Sequence, residues 1–237
     1  MKTTNPLRAP FRQGIMTKRQ EGTNVRPQVL IWDWNGTVLD DWRLCFAIEN
    51  EMLRERGMRE ITADWYLAHF SFPIRDYYAM MGYTFETESF ERLNGIFMER
   101  YNARYTSCPL RAGVTGLLRK VQENGICQTL LSVTQQDDLV RQTNRLGAAR
   151  YFTEILGQRD ILGHSKVERA KRYIAEHGID PKTALFVGDT DHDAETANAV
   201  GCACALLVGG HQSKDVLLRC GVPVFETLSE LSDWMEL

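Results

Sequence analysis

The sequence predicts an α/β fold built on a parallel sheet and interrupted, just after its first strand, by an inserted helical unit. Two observations carry this. Short apolar runs that end in turn signals alternate with helical stretches along most of the chain. The alternation fails only across residues 41–107, where helical patterns follow one another with no strand between them. Runs that are apolar on both faces must be covered on both faces, which a parallel sheet flanked by helices achieves.

The elements follow in order. Residues 29–34 form the first apolar run, which delivers Asp33 to a turn at Gly36-Thr37. Asp41 is placed to cap a helix that runs through Leu44, Ile48 and Met52 and stops at Gly57. A second helical stretch covers residues 64–81, broken at Pro73, and a third covers residues 88–105. A helix near residues 114–123 stops at Asn124-Gly125 and leads into the second apolar run, residues 126–133. A helix over residues 166–177 stops at Gly178 before the run at 184–187. A short helix closed by Gly201 precedes the run at 203–208, and residues 222–225 supply a fifth strand. The predicted core is therefore residues 29–40 with 108–237, and the predicted helical unit is residues 41–107.

Composition narrows the functional classes. The formal charge is only −3 over 237 residues, which gives no electrostatic case for nucleic acid or an anionic membrane surface. No apolar stretch approaches the roughly 20 residues of a membrane span. The six cysteines form no CxxC pair and no Cys/His zinc spacing, so they read as small buried hydrophobes in a reducing, cytoplasmic setting. Residues 1–28 differ from the rest. Lys2, Arg8, Arg12, Lys18, Arg19 and Arg26 face one acid, Glu21, and no apolar core of a secretory signal is present. This segment is expected to be a disordered leader, with Met16 as the working start.

Four segments carry candidate chemistry, each just after a predicted strand or at a helix start, where α/β sheets bind ligands. Asp33 ends a buried strand beside glycine, and a carboxylate there can attack phosphorus and split one displacement into two; a turn cap is the plainer reading of the same residue. Ser132, in Leu-Leu-Ser-Val-Thr, can offer a hydroxyl and a backbone N–H to a phosphoryl oxygen, with Thr134 as the alternative. Lys166, at a helix start, can neutralise a carboxylate and a transferring phosphoryl group, with Arg169 and Lys171 as competitors. Residues 186–193, Phe-Val-Gly-Asp-Thr-Asp-His-Asp, bring carboxylates together at a cost that a cation would relieve. The Asp189, Asp191, Asp193 spacing imitates an EF-hand loop, but Ala194 stands at the turn glycine and Val200 at the twelfth-position glutamate. No Walker A loop or GxGxxG fingerprint occurs.

Taken together over residues 29–210, these segments resemble the motifs of the haloacid dehalogenase (HAD) superfamily, in the group with a helical C1-type cap that contains phosphoglycolate-phosphatase-like enzymes. The resemblance implies a Rossmann-like core with the helical unit as its cap. It implies a magnesium-dependent phosphatase that hydrolyses a small phosphorylated metabolite, a phosphomonoester, through an aspartyl-phosphate. Asp33 would be the nucleophile and a Mg2+ ligand, together with the backbone carbonyl of Asn35 and with Asp189. Asp193 would be a water-mediated partner of the metal. Gly36, Thr37, Ser132 and Lys166 would bind phosphate. Asp191 and His192 are read as surface groups.

One position departs from the family pattern Asp-x-Asp-Gly-Thr: its second carboxylate is Asn35. An amide cannot shuttle a proton near neutral pH, and general acid–base help is worth about 10²–10⁴ in rate. Three readings stay open: a phosphatase selective for leaving groups that need little protonation, a proton supplied by another group such as His69, or a catalytically weak protein that binds a phosphorylated ligand. On the first reading, Asn35→Asp is expected to raise turnover, more on alkyl than on aryl phosphates. Residues 68–75 of the helical unit are expected to face substrate, with His69 and Arg75 as the contacts. A Schiff-base phosphonatase is excluded, since no lysine lies between Lys18 and Lys120. A dehalogenase would need neither Asp189 nor Asp193.

Overall fold

A computed structural model describes residues 26–158 and 166–237. All but the last three residues of the expected leader lie outside the described residues. Among the described residues the first element is strand β1 (Val29–Trp32), followed by helices α1 (Trp42–Glu55), α2 (Ala63–His69), α3 (Ile74–Met80) and α4 (Phe90–Arg104). The chain continues with α5 (Val114–Glu123), β2 (Cys127–Gln135), α6 (Gln136–Arg145), β3 (Glu154–Gln158), α7 (Lys166–Glu176), β4 (Ala184–Gly188) and α8 (Asp191–Val200). The last elements are β5 (Ala203–Leu207), α9 (Lys214–Leu218), β6 (Val224–Phe225) and α10 (Leu228–Trp234). The strands form one parallel sheet in the order β3-β2-β1-β4-β5-β6. The first strand is central, and the strand order reverses there, so residues after β1, β2 and β4 share one sheet edge.

Burial explains the central strands. Leu30, Ile31 and Trp32 are fully buried, alternating between two cores on opposite sides of the sheet. One core takes Val114, Leu117, Leu118 and Val121 from α5 and Leu231 from α10. The other takes Ala170, Tyr173 and Ile174 from α7 and Ala194 and Ala197 from α8. Each fully buried large aliphatic side chain contributes about 1.5–3 kcal/mol. The two tryptophans around Asp33 need polar partners inside this core. The Trp32 indole donates to Gln128 at 3.1 Å, and that of Trp34 donates to Gln142 at 2.8 Å.

Helices α1 to α4 gather a third, separate core from Ile48, Met52, Leu53, Tyr66, Tyr77, Tyr78 and Leu93. Pro73 divides the second predicted stretch into α2 and α3, where it stands at the N-cap of α3. The fold adds elements absent from the sequence reading. β3 is an edge strand with half-buried residues, and α6 is strongly polar; neither shows a continuous apolar run. Among the described residues, no helix is long and apolar enough to cross a membrane, and all six cysteines are free.

One expectation fails at the junction of core and helical unit. Asp41 stands at the N-cap of α1, but its side chain caps nothing; it is drawn instead into a buried network described below.

The third core also holds an acid. Glu49 is buried and accepts a hydrogen bond from the Tyr77 hydroxyl at 2.7 Å. Burial lifts its pKa from 4.5 to about 8, only partly offset by Tyr77 and by the charge of His211. A raised carboxyl favours folding below its unfolded value and loses that contribution as pH rises through its folded one. Glu49→Gln is therefore expected to gain stability over the wild type progressively between pH 4.5 and 8, by on the order of 5 kcal/mol at the upper end. Denaturant melts across that range check it; parallel curves for the two proteins would contradict it.

Candidate functional site

The site is assembled from the ends of β1, β2 and β4 and the start of α7. Asp33 leaves β1 with its N–H bonded to the Val187 carbonyl of β4 at 2.9 Å, which fixes the two strand ends side by side. Lys166, in the first turn of α7, is buried, and its ammonium donates to Asp33 and, at 2.6 Å, to Asp193. Asp33, Asp189 and Asp193 lie close enough that one oxygen from each falls within 4.8 Å of the others.

Each carboxylate is oriented differently. Asp189 accepts the Thr37 hydroxyl at 2.7 Å and the His211 N–H at 2.7 Å. Asp193 turns one oxygen to Lys166 and gives the other to the N–H groups of Asp189 and Thr190 and to the Thr190 hydroxyl, at 3.1, 3.0 and 2.8 Å. Asp193 thus carries four contacts to the protein, whereas Asp189 carries one on each oxygen and keeps a lone pair on both. Close backbone approach is required here. Gly36 has φ +74°, and a Cβ on it would overlap the Asp189 carboxylate; one on Gly210 would do the same.

The electrostatics are unbalanced. Burial, with Asp193 and Asp189 nearby, lifts Asp33 to about 8 despite Lys166. Asp189 is also raised, mainly by burial. Burial opposes ionisation of Asp193 too, but Lys166 overrides it and holds that carboxylate low. Lys166 itself is held charged, its two carboxylate partners outweighing its own burial. If all three acids are ionised, two negative charges remain after Lys166 is counted. That is the charge of a hard divalent cation, for which clustered carboxylate oxygens are the matching donors.

A second network lies beside the first. Asp41 is fully buried. It accepts the Gly36 N–H at 2.8 Å, the Asn35 amide at 2.6 Å and the Tyr101 hydroxyl at 2.6 Å, and faces His211 Nε2 at 3.3 Å. The Asn35 amide also donates to the Tyr101 oxygen at 2.8 Å, and its carbonyl oxygen accepts the Thr134 hydroxyl at 2.8 Å. Ser132 donates to Thr134 at 3.1 Å. Tyr66 lies 2.6 Å from His211 Nδ1. Burial alone would raise Asp41, but the contacts from His211, Tyr101 and Asn35 carry it below its ordinary value. Burial would lower His211, yet Asp41 lifts it to about 9. This network is a neutralised ion pair.

The expected residues divide accordingly. Asp33, Lys166, Asp189, Asp193 and Thr37 meet in one cluster. Asn35, Ser132 and the alternative Thr134 are bonded to one another and, through Asn35, to Asp41 in the second network. Gly36 and Thr37, expected to face phosphate, donate to Asp41 and Asp189. His69 and Arg75 do not join. His69 is exposed, stacked on Trp65 and bonded to its carbonyl, because the turn of α2 points it outward. Arg75 is exposed and lies over Phe85. His192 is no plain surface group either: it is half-buried and packs on Phe72. Asp191, also half-buried, accepts from Gln212 at 2.8 Å. His211 and Arg111 went unseen in the sequence. Arg111 donates to the carbonyls of Gly36 and Val208. The Gly209-Gly210-His211 run directly after a buried strand was the available signal for the first; Arg111 offered none.

Comparison with known proteins identifies the family and the fold. A family model described as haloacid dehalogenase-like hydrolase matches residues 30–207. Phosphoglycolate phosphatase of Synechococcus elongatus is 24% identical over 216 residues, covering 86% of this chain and 95% of that protein. Phosphoglycolate phosphatase 1 of Pseudomonas aeruginosa is 30% identical over 126 residues, 52% of this chain and 46% of that one. Among solved structures, a haloacid dehalogenase-like family hydrolase from Streptococcus pneumoniae superposes with TM-score 0.76 at 16% identity, covering 88% of this chain and 98% of the other.

The charge imbalance predicts a thermal response. Mg2+ at about 100 times its dissociation constant is expected to raise the melting temperature by about 5–10 °C. Asp189→Asn is expected to remove that shift. Thermal melts with and without Mg2+ decide it; an equal shift in the variant would place the cation elsewhere.

Proposed function

Since the chain belongs to the haloacid dehalogenase-like hydrolases, we propose that it is a Mg2+-dependent phosphatase that hydrolyses a small phosphomonoester through an aspartyl-phosphate on Asp33. The observation that carries this is the junction of Asp33 with Lys166 and Asp189 at the sheet's switch point. The matched relatives named phosphoglycolate phosphatase favour a small anionic metabolite as substrate. The free cysteines suit a cytoplasmic setting.

Asp33, Asp189 and the backbone carbonyl of Asn35 would hold the cation, and Asp193 would orient its surroundings through Lys166 and Thr190. When bound, Mg2+ supplies positive charge against the phosphoryl oxygens. The chain's own residues do the rest. An oxygen of Asp33 forms a bond to phosphorus as the bond from phosphorus to the leaving oxygen breaks, and the leaving group departs with the electron pair. Lys166 neutralises the nucleophile before attack and the phosphoryl oxygens after it. The Ser132 hydroxyl, turned from Thr134, donates to one of those oxygens. Water then attacks the same phosphorus, one of its protons passing to a phosphoryl oxygen as the bond from phosphorus to Asp33 breaks, which releases phosphate and restores the Asp33 carboxylate. Helices α1 to α4 act as the cap. Tyr66 and Tyr101 bring it onto the site, and Phe70 packs on His211 at a ring separation of 4.8 Å, which excludes water.

Asn35 sets the leaving-group preference. Its amide has no proton to give and is committed to Asp41 and Tyr101. Esters whose oxygen leaves readily as an anion are therefore favoured. Asp33→Asn is expected to abolish phosphate release from p-nitrophenyl phosphate; retained turnover would refute the nucleophile assignment. In the wild type, kcat should fall by about 10²–10⁴ from that aryl ester to an alkyl phosphate. Equal rates on both would show that some other group supplies the proton.

A further inference from the structure

The Asn35 amide cannot be turned around. With its nitrogen facing Asp41 and Tyr101, every contact is a donor meeting an acceptor. Flipped, its oxygen would face the Asp41 carboxylate and its nitrogen would face the hydroxyl of Thr134, whose proton would then have no acceptor there. The same logic opposes two ionised acids at these positions. A carboxylate at residue 35 would meet Asp41 at the 2.6 Å now spanned by a hydrogen bond, beside three further buried carboxylates.

We propose that Asp41 is a positioning residue for the active site, matched to Asn35, so that the carboxylate and the amide can be exchanged between the two positions but neither can be changed alone. The exchanged arrangement keeps every bond among these residues and gives up one 4.0 Å contact from the Cys45 thiol to Asp41. An aspartate at 35 would still accept the Thr134 hydroxyl, and an asparagine at 41 would donate to it along the present 2.6 Å line. Tyr101, which now accepts from Asn35 and donates to Asp41, would do the reverse. The oxygen of an asparagine at 41 would still accept from Gly36 and His211, and the net charge would be unchanged. A single change breaks this. Asn35→Asp sets two anions together, and Asp41→Asn sets one donor against another. The asparagine is thus one half of a fixed pair, not simply a lost acid, and the expectation that Asn35→Asp alone raises turnover is reversed.

This inference rests on the phosphatase reading only for its kinetic arm. Wild type, Asn35→Asp, Asp41→Asn and the double exchange are compared by kcat and KM on p-nitrophenyl phosphate with Mg2+, well below melting. Each single change is expected to lower kcat by about 10- to 100-fold. KM should move by less than about threefold, because the pair aligns the site without touching substrate. The double exchange should return to within about fivefold of the wild type. Losses that multiply in the double would overturn the pairing. If Asn35→Asp alone fails to fold, recovery of folding in the double exchange carries the same weight, and its failure the same refutation. A second arm needs no turnover. The side-chain amide signals of Asn35, identified in 15N-labelled protein by their loss in Asn35→Ala, should be strongly displaced in the wild type and collapse toward ordinary asparagine values in Asp41→Asn. Unchanged signals in Asp41→Asn would refute the positioning role even in an active enzyme. An inactive wild type that passes the amide test would refute the phosphatase reading and leave the pair standing.

Discussion

The burial of Asp33, Asp189 and Asp193 around the single ammonium of Lys166 is the constraint on which the rest of this structure depends. Removing charged groups from water costs several kcal/mol each unless partners replace the lost hydration. The parallel sheet supplies those partners by topology. Adjacent β1 and β4 deliver Asp33 and Asp189 to one edge, and the first turn of α8 folds Asp193 back onto the N–H groups of Asp189 and Thr190. Glycine at 36 and 210 follows from the same crowding, since a Cβ at either place would occupy the space of the Asp189 carboxylate.

The helical unit is tied to this edge by polar contacts together with the packing of Phe70 on His211 and Phe72 on His192. Its apolar residues satisfy one another, while Tyr66 from α2 and Tyr101 from α4 reach His211 and Asp41. Two phenols from separate helices converging on one buried ion pair orient the unit more sharply than apolar burial, which has no direction. Movement of the helices over the site must therefore disturb the Asp41 network, and through Asn35 and Thr134 it reaches Ser132.

Much of this was legible in the sequence, for physical reasons that also mark where legibility ends. Strands buried on both faces read as apolar runs, so β1, β2, β4 and β5 were visible, whereas the half-buried β3 and the polar α6 had no such pattern. Asp33, Lys166 and Asp189 stand beside strand ends or helix starts, where local pattern and chemistry coincide. His211 and Arg111 acquire their roles only from neighbours 22 to 170 residues away in the sequence. His69 and Arg75 were chosen by segment, and the helix rotation that turns them outward is not written in their types. Asp41 was read as a cap because aspartate before a helix usually is one; nothing local announces that Asn35 and Tyr101 claim its oxygens first.

The two buried networks separate structure from chemistry by their charge. Around Asp41 the account closes: His211 offsets one carboxylate, and Asn35, Gly36 and Tyr101 fill its oxygens. Around Asp33 it does not, because three acids share one lysine. A fold gains nothing in stability by leaving that imbalance in place. The deficit is accounted for if the missing charge arrives with a ligand, and the neutral neighbour explains why it falls at Asp33 and Asp189 rather than being spread across the edge. Were residue 35 an acid and Asp41 unchanged, both networks would be negative and the distinction would vanish. The amide at 35 confines the unbalanced charge to Asp33, Asp189 and Asp193.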